Sequence, residues 1–168
     1  MKKLLLTIAI AALTSFGASA QKAGFINTDS VLVSMPEYVQ AQSQIKTRSA
    51  AFQTELENDL KKIETLYNKY QQQKQYLTSS SCAAKEQEII SLESDLKKKQ
   101  DSYFGTEGEM TSYSEKLLAP VRAKVDAAVA AYAAANGYGY IVDLAIATGV
   151  VYYNPSDDIT NAIIEKLK

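Results

Sequence analysis

Residues 60–96 decide the fold, and they read LKKIETLYNKYQQQKQYLTSSSCAAKEQEIISLESDL. In the first half of this stretch, apolar and aromatic residues recur in steps of three and four, and the same spacing resumes after TSSSC. Heptad spacing of this kind predicts two helices that pack along one seam. Because the segment between them is short, it can only connect antiparallel neighbours. The sequence therefore predicts a long helical hairpin, which we call the arm.

The predicted seam continues on both sides of that stretch. Residues 37–77 contain no glycine and no proline. The second helix is expected to run to Asn136, where Gly137 suits the left-handed position that ends a helix. Each helix then has roughly forty to fifty residues and spans roughly 60 to 75 Å. The predicted seam positions are Leu60, Ile63, Tyr67, Tyr70, Lys74 and Leu77 in the first helix and Ile89, Leu92, Leu96, Lys99, Tyr103, Thr106, Met110, Tyr113 and Leu117 in the second.

Two features interrupt the regular pattern near the middle of the arm. Phe52, Leu56 and Leu60 follow each other in two steps of four, which predicts a stutter that locally unwinds the supercoil. Gly105 and Gly108 lie at the corresponding height of the second helix, and each costs about 1 kcal/mol relative to alanine in a helix interior. The sequence predicts a flexible point or bend at these glycines. The alternative is two glycines tolerated in an exposed helix.

The charges of the arm nearly cancel. Between Glu37 and Leu77 the chain carries six basic and five acidic residues, and between Lys85 and Ala135 it carries seven basic and nine acidic residues. Even the run Lys97-Lys98-Lys99 has an aspartate on each side. This balance is typical of a solvated coiled-coil surface and not of a nucleic-acid footprint, so we expect no nucleic acid partner.

A second region, the body, takes its sequence from both sides of the arm. Residues 22–28 predict a short strand, and 138–144 and 149–154 are β-branched and aromatic runs that predict a hairpin. Asp158 is expected to be the N-cap of a final helix. The fold class is thus α+β and mainly α-helical. The predicted segments are a body of residues 21–35 and 137–168 and an arm of residues 36–136 with its tip near residues 78–83.

The body is too small to be stable by itself. It has only about 50 residues, and domains of that size bury too little surface to be robust. Its strands are nearly continuous apolar runs, which predicts burial on both faces. We therefore expect the chain to form an oligomer through the body. The residues expected to take part are Phe25, Ile26, Tyr140, Ile141, Val142, Val150, Val151 and Tyr152.

Residues 1–20 have the composition of a secretory leader. Two lysines precede the apolar run LLLTIAIAAL, and Ala18-Ser19-Ala20 is a small-residue cleavage site before Gln21. The run is too short for a good transmembrane anchor. Cleavage after Ala20 would remove both lysines and change the formal net charge from −1 to −3. The sequence therefore predicts a soluble protein beyond the inner membrane, in the periplasm.

The residue types in the chain argue against catalysis. There is no histidine, the commonest acid–base catalyst, and one cysteine, Cys82, which has no partner for an intramolecular disulfide. We interpret Cys82 as an incidental exposed thiol, although Lys85 and a helix N-terminus are near. Asp157 and Asp158 are better explained by a helix cap than by paired catalytic carboxylates, and they form no calcium loop. The sequence predicts a protein that is not an enzyme and holds no cofactor or metal.

The chain resembles the OmpH/Skp family of periplasmic chaperones. The resemblance rests on GFINTDSVLVSMPEY (24–38), on the two charged helices, and on NGYGYIVD (136–143) followed by VVYYNPSDDIT (150–160). It covers essentially the whole chain after the leader. The matching positions are structural ones: Phe25, Ile26, Asn27, Thr28 and Asp29 in the first motif, and Tyr140, Ile141, Val142, Asp143, Pro155, Asp158, Ile159 and Thr160 in the last.

The resemblance implies both an assembly and a function. Three chains are expected to join their bodies in a central β-barrel, from which three arms extend and enclose a cavity. The implied partners are unfolded outer-membrane β-barrel proteins, which are held without ATP. Many members of the family are strongly basic, whereas this chain is slightly acidic. That difference does not favour lipopolysaccharide binding, and only weak contact with a membrane surface is expected.

Contacts with such a client are expected at apolar residues that lie off the seam. With Leu60 at heptad position a, these are Leu66, Tyr76, Ile90 and Phe104. The alternative is that they are edge packing or single surface residues, which are common. Weak contacts suit a holding function, because burying one large side chain fully is worth roughly 1.5–3 kcal/mol and would trap the client. The main rival function is a coiled-coil scaffold or spacer of the cell envelope.

Overall fold

The computed structural model describes residues 21–168, and the predicted leader of residues 1–20 lies outside this range. Long helices dominate the described chain, and a two-stranded sheet accompanies them, in agreement with the predicted fold class. The elements in chain order are β1 (Lys22–Ile26), α1 (Thr28–Ser34), α2 (Pro36–Gln73), a 3-10 turn (Lys74–Tyr76), α3 (Ser79–Phe104), α4 (Glu109–Asn136), β2 (Tyr138–Asp143), a second 3-10 turn (Pro155–Asp157) and α5 (Thr160–Leu167).

Strands β1 and β2 pair in parallel and connect the two ends of the chain. Ile26 pairs with Asp143, and the amide of Leu144 donates to the Ile26 carbonyl at 2.7 Å. The chain then returns to β1, because the amide of Ile159 donates to the Phe25 carbonyl at 2.8 Å. The body is therefore closed by hydrogen bonds between segments that the whole arm separates in sequence.

One apolar core joins the body to the base of the arm. Val31 of α1 and Ile163 of α5 are fully buried in it. Helix α4 also contributes to this core, so the body has more apolar surface to bury than its own sequence segments provide. The buried members are Ile26, Val31, Met35, Val121, Val125, Ala128, Ile159 and Ile163.

Helix α1 is an element that the hydrophobic pattern does not predict. Its seven residues are too few to show a helical period. Asn27 caps the helix, because its side-chain oxygen accepts from the amide of Ser30 at 2.9 Å. The carboxylate of Asp143 accepts from both the amide and the hydroxyl of Thr28, at 3.2 and 2.5 Å. These contacts fix the start of α1 against the end of β2.

Residues 149–154 do not form the predicted second strand of a hairpin. They follow β2 without regular structure, and Gly149 at their start has a φ of 87°, which favours glycine. Tyr153 packs on Phe25 with ring centroids 4.9 Å apart, whereas Val151 and Tyr152 face solvent. A strand needs a backbone partner for its hydrogen bonds, and neither described strand pairs with this segment.

The arm is an antiparallel helical hairpin, as predicted. Helix α2 packs against α3 toward the tip and against α4 toward the body. It has 38 residues, which corresponds to a length of about 57 Å. Gly137 ends α4 with a φ of 68°, the left-handed conformation expected at this position.

The turn at the tip comes earlier in the chain than predicted. Helix α2 gives way to the 3-10 turn at Lys74–Tyr76, and Thr78 is the N-cap of α3, with its hydroxyl accepting from the amide of Ser81 at 3.2 Å. Ser79 and the serines after it therefore form the first turn of a helix and not a loop. Hydroxyl side chains are favoured there because they satisfy free amides at a helix start.

The second helix of the arm is interrupted at residues 105–108. A β-carbon on Gly105 would lie 2.4 Å from the carbonyl oxygen of Asp101, and one on Gly108 would lie 2.9 Å from the backbone of Gly105. The prediction of one continuous helix is therefore wrong, because a tight turn separates α3 from α4 and the glycines make room for it. Flexibility at this interruption stays a prediction.

The seam of the arm is shifted by one residue from part of the predicted one. Leu60 and Tyr67 are 46% and 48% exposed, whereas Leu66 is half-buried against the apolar cluster of the tip. The predicted seam is wrong at these positions because Asp59, a charged residue, occupies a seam position. The observed steps alternate between four and three, so the predicted stutter is absent from the seam. The residues of the observed seam are Phe52, Leu56, Asp59, Ile63, Leu66 and Tyr70 in α2 and Cys82, Lys85, Ile89, Leu92, Leu96, Lys99 and Tyr103 in α3.

Candidate functional site

A polar cluster crosses the seam in the middle of the arm. Lys99 Nζ lies 2.5 Å from Glu55 Oε1 and 2.7 Å from Asp59 Oδ2. The side chains of Lys99 and Asp59 are 31% and 28% exposed, so solvent screens them only in part. Hydrogen bonds from Lys99 lower the pKa of both carboxyls, and the bonds to Asp59 and then Glu55 raise the pKa of Lys99. Charged side chains at seam positions fix the register of a coiled coil, since a shifted pairing would separate them.

A second polar cluster holds the tip together. The hydroxyl of Tyr70, a buried side chain, donates to Glu86, and Lys74 Nζ lies 3.1 Å from the same carboxylate oxygen. The hydrogen bond from Tyr70 and then that from Lys74 lower the pKa of Glu86. The bonds to Tyr70 and Glu86 raise the pKa of Lys74 to about 12. Polar contacts thus connect the two helices of the arm at its tip as well as at its middle.

Aromatic side chains and one arginine brace the interruption of the second helix. Phe52 stacks on Tyr103 with ring centroids 3.9 Å apart. Arg48 lies over the Phe52 ring at 4.8 Å and pairs with Glu109 at 3.1 Å. Because Tyr103 precedes the interruption and Glu109 follows it, α2 holds α3 and α4 together across the turn. The spacing of Arg48 and Phe52, four residues apart on one helix face, is the sequence signal for this brace.

The structure separates the four residues predicted to contact a client. Tyr76 is 80% exposed at the tip, and Ile90 is exposed on α3. Phe104 is also exposed, although it packs edge-on against Phe52 with ring centroids 6.2 Å apart. Leu66 packs into the seam, so the premise for choosing it is wrong. Contact with a client stays a prediction for the other three.

Leu60 and Tyr67 are surface residues, although the predicted seam places them in the interior. Leu60 lines a groove of about 270 Å³ together with Leu56 and Leu96. A heptad pattern that places the charged residue Asp59 in the seam moves both side chains to position e, on the surface. Charge complementarity between Asp59 and a lysine of the second helix is the signal that could have found this register.

The exposed apolar surface of the body lies mainly in the segment after β2. Val151 is 98% exposed, and other exposed side chains are Tyr140, Ile146, Val150 and Tyr152. Phe25 and Val142 are half-buried, and Ile141 packs against the core of its own chain. Ile26 is buried by its own chain, so the prediction that it needs a partner from another chain is wrong. Adjacent exposed apolar residues are typical of an interaction surface.

The residues considered for catalysis have structural contacts. Cys82 is half-buried at the seam, with Sγ 3.8 Å from the Lys74 carbonyl oxygen, so it is less exposed than predicted. Asp158 Oδ1 accepts from the amide of Thr160 at 2.9 Å, but Ile159 is the N-cap of α5, so the prediction that Asp158 is the cap is wrong by one residue. Within residues 21–168, no three His, Cys, Asp or Glu side chains are grouped so that they could hold a metal ion. Among the described helices, none has the length and hydropathy needed to cross a membrane.

Fold and surface together define a class of protein in which a small body carries a long helical hairpin. The fold is similar to that of a Caulobacter crescentus protein described as an OmpH-like outer membrane chaperone. The TM-score is 0.69 at 14% identity, and the match covers 90% of this chain and 86% of that one. A family model described as "Outer membrane protein (OmpH-like)" matches residues 22–167, and the chain therefore belongs to the OmpH-like family. A comparison with curated proteins finds no significant match.

Proposed function

We propose that this protein is an ATP-independent holdase chaperone of the periplasm that binds unfolded outer-membrane β-barrel proteins and prevents their aggregation. The observation that carries the proposal is the surface of the arm, where apolar side chains such as Tyr76 and Ile90 stand apart on a charged helical hairpin in a member of the OmpH-like family. Separate apolar contacts are individually weak, and several together can hold an unfolded chain without trapping it. No covalent step is part of this function.

The proposal includes export and assembly. The predicted leader would deliver the chain to the periplasm, with cleavage after Ala20. The bodies would then associate as a homotrimer through the segment of residues 149–154, in which the exposed stretch around Val151 and Tyr152 would pair with a strand of another chain. Three arms on one body would enclose a cavity for the client. Sedimentation of the mature protein tests the assembly, and Val151→Asp/Tyr152→Asp is expected to shift it to a monomer if that segment is the interface.

The experiment that tests the holdase function is an aggregation assay. A urea-unfolded outer-membrane β-barrel protein is diluted into buffer with and without the mature chain, in the absence of ATP, and light scattering is followed. Suppression at roughly one oligomer per client is the expected result. Cys82→Ser should suppress aggregation equally well, because no step of the proposal uses the thiol.

The same assay separates the holdase from a scaffold or spacer of the cell envelope. A spacer needs stiffness and has no need for exposed apolar side chains on its arm. If the folded, oligomeric protein fails to suppress the aggregation of several barrel clients, the holdase proposal is wrong and the scaffold is favoured.

A further inference from the structure

The two sides of the arm that flank the seam differ in composition. In an antiparallel hairpin, heptad positions e and b of both helices lie on one side of the seam, and positions g and c lie on the other. The observed seam places Leu60 and Tyr67 at position e of α2 and Ile90 at position b of α3. All three are exposed. We call the surface formed by Leu56, Leu60, Tyr67, Ile90 and Leu96 the apolar face.

Contacts across the hairpin place three of these residues on one side, and the alignment of the two helices places Tyr67 and Ile90 there too. One groove is lined by Leu56 and Leu60 of α2 together with Leu96 of α3. The pair Lys74–Glu86 joins the two e positions nearer the tip. The Lys74–Glu86 and Asp59–Lys99 pairs fix how the two helices are aligned. Counting residues along both helices between these pairs places Ile90 near Tyr67 along the axis of the arm. Leu60, Tyr67 and Ile90 therefore lie on the same side of the arm.

The opposite side of the arm, which we call the polar face, has no exposed large apolar side chain at its outer positions within residues 55–69 and 84–98. A second groove on that side is lined by Lys62 and Asp95 together with the seam residues Ile63, Leu92 and Leu96, so the two sides differ at their outer positions and not in the seam. Its flanking residues within those two stretches are charged, polar or small, and the charges balance. The g and c positions are Glu55, Asn58, Lys62, Thr65 and Lys69 in α2 and Ala84, Glu88, Ser91, Asp95 and Lys98 in α3.

The rim of the apolar face carries an excess of negative charge. Glu57, Glu64 and Glu93 occupy its e and b positions, and within the described chain none of them forms an ion pair. Lys97 lies on the same side and offsets one of these charges. Lys74 and Glu86 neutralise each other through their ion pair, so they do not change the balance. A segment bound to this face would meet both apolar side chains and a net negative charge.

The spacing of the apolar residues fits a short extended segment. Leu60 and Tyr67 are seven residues apart on one helix, which corresponds to about 10.5 Å. An extended chain rises about 3.3 Å per residue, so about four residues span the two positions. Polar residues separate the apolar positions, which is typical of isolated contacts and not of a continuous seam for a further helix.

We propose that the apolar face binds extended segments of unfolded polypeptide in which basic side chains accompany apolar ones. The apolar side chains contact Leu60, Tyr67 and Ile90, and the basic ones pair with the carboxylates of the rim. This inference rests on the proposed holdase function and specifies which part of the arm holds the client and which client segments it selects.

The charge of the rim also argues against a second copy of this arm as the occupant. Two apolar faces brought together would oppose glutamates to glutamates, and like charges in close contact are unfavourable. A client segment with lysine or arginine has the opposite charge. The binding preference should weaken as salt screens these contacts.

Two fluorescein-labelled peptides test the preference. In one, leucine and tyrosine alternate with lysine, and in the other they alternate with glutamate. We expect the full-length mature protein to bind the lysine peptide about fivefold or more tightly in fluorescence anisotropy at low salt, because each exposed charge pair contributes a modest amount. Equal affinities, or tighter binding of the glutamate peptide, would overturn the proposal.

A charge variant with a matched control locates the preference on the arm. Glu57→Gln/Glu64→Gln/Glu93→Gln should remove most of the preference for the lysine peptide. The control, Glu88→Gln/Asp95→Asn/Asp101→Asn, removes three negative charges from the other sides of the arm and should leave most of it. A similar loss in both variants would show that overall charge and not the apolar face sets the preference.

An apolar variant tests the contact surface itself. Leu60→Ser/Tyr67→Ser/Ile90→Ser should bind both peptides about tenfold more weakly, since three exposed apolar contacts are lost. The control, Asn58→Ala/Thr65→Ala/Ser91→Ala, changes three exposed residues of the polar face and should bind both peptides normally. These are surface positions, and circular dichroism checks that each variant is folded. Unchanged binding in a folded apolar variant would contradict the proposal.

The aggregation assay distinguishes failure of this inference from failure of the holdase function. If the wild-type chain suppresses aggregation and the apolar variant suppresses it equally well, the holdase function stands and the apolar face is not its site. If the wild-type chain neither suppresses aggregation nor binds either peptide, the holdase proposal fails and this inference fails with it.

Discussion

The body and the arm differ in how they bury apolar surface. In the body, one core joins residues from both ends of the chain, and Ile163 at its centre is fully buried. In the outer half of the arm, a cluster of three buried residues is accompanied by polar clusters around Lys99 and Glu86. A continuous core like that of the body opens only when the whole domain unfolds, whereas regions with few buried contacts open locally. From this comparison we expect that the outer half of the arm can open locally while the body stays folded.

The largest expected effect is that of a cavity in the body. Ile163→Ala should lower the free energy of unfolding by about 2–5 kcal/mol, measured by urea denaturation and circular dichroism, because the rigid core cannot fill the space. Ile63→Ala in the arm should cost less, since the tip can adjust. Val33→Ala, at an exposed position of α1, is the control and should change stability by less than about 0.5 kcal/mol. Equal losses for the two isoleucines would remove the distinction between body and arm.

A smaller effect is expected at the interruption of the second helix. Gly105→Ala should destabilise the arm by about 1–3 kcal/mol, because its β-carbon would press on the Asp101 carbonyl and force the backbone to shift. Thermal unfolding followed at 222 nm measures the change. Ser102→Ala, an exposed change one turn earlier, is the control. If Gly105→Ala stabilises the protein instead, by the helix propensity that alanine gains, the turn is not required by the fold.

The polar cluster of the arm can be tested by removing its lysine. Lys99→Leu leaves Glu55 and Asp59 at the seam without their partner and should lower the melting temperature by roughly 2–4 °C. Asp59→Leu/Lys99→Leu should recover that loss, because apolar side chains can replace an ion pair at a packed position. A double variant no more stable than Lys99→Leu would mean that the cluster is not a replaceable seam pair.

The smallest expected effect is a loss of arm protection in acid. Lys99 lowers the pKa of Glu55 and Asp59 below their usual values of 4.5 and 3.8. Carboxyls that are more acidic in the folded chain contribute stability above their usual pKa values, and that stability is lost as the pH falls through the lowered values. Amide exchange, corrected for the intrinsic rate, should therefore show the arm losing protection as the pH falls below the usual carboxyl values and through the lowered ones. A body that lost protection first would contradict this expectation.

The sequence predicts the hairpin because apolar residues recur over many heptads. A pattern of that length remains clear even when single seam positions are assigned incorrectly. The sequence does not predict the exact seam, because Asp59 occupies a half-buried seam position through its pairing with a lysine forty residues later, and no local pattern shows that pairing. The local pattern therefore assigns Leu60 and Tyr67 to the interior. The serines after Thr78 show a related ambiguity, since the same residue types favour loops and helix starts.

The body was harder to predict because its elements depend on distant contacts. Residues 149–154 have strand composition but no strand partner in the described chain, and α1 depends on Asp143 at its start and on the core around Val31. Strand propensity describes a side chain that suits a sheet surface, and whether the sheet exists depends on pairing. The candidate contact surface could be predicted only in part, since the choice of exposed residues depends on the register of the seam.

The parallel pairing of β1 with β2 has a consequence for the order of folding. The amide of Asn27 donates to the hydroxyl of Thr160 across 133 residues, and closing a loop of that length costs chain entropy. The hairpin avoids most of this cost, because its helices can pair progressively from the tip, starting with residues that are close in sequence. This pairing brings Pro36 and Asn136 close together. A chain still emerging during synthesis can thus complete its arm before β2 and α5 exist. The body, and any assembly through it, forms last.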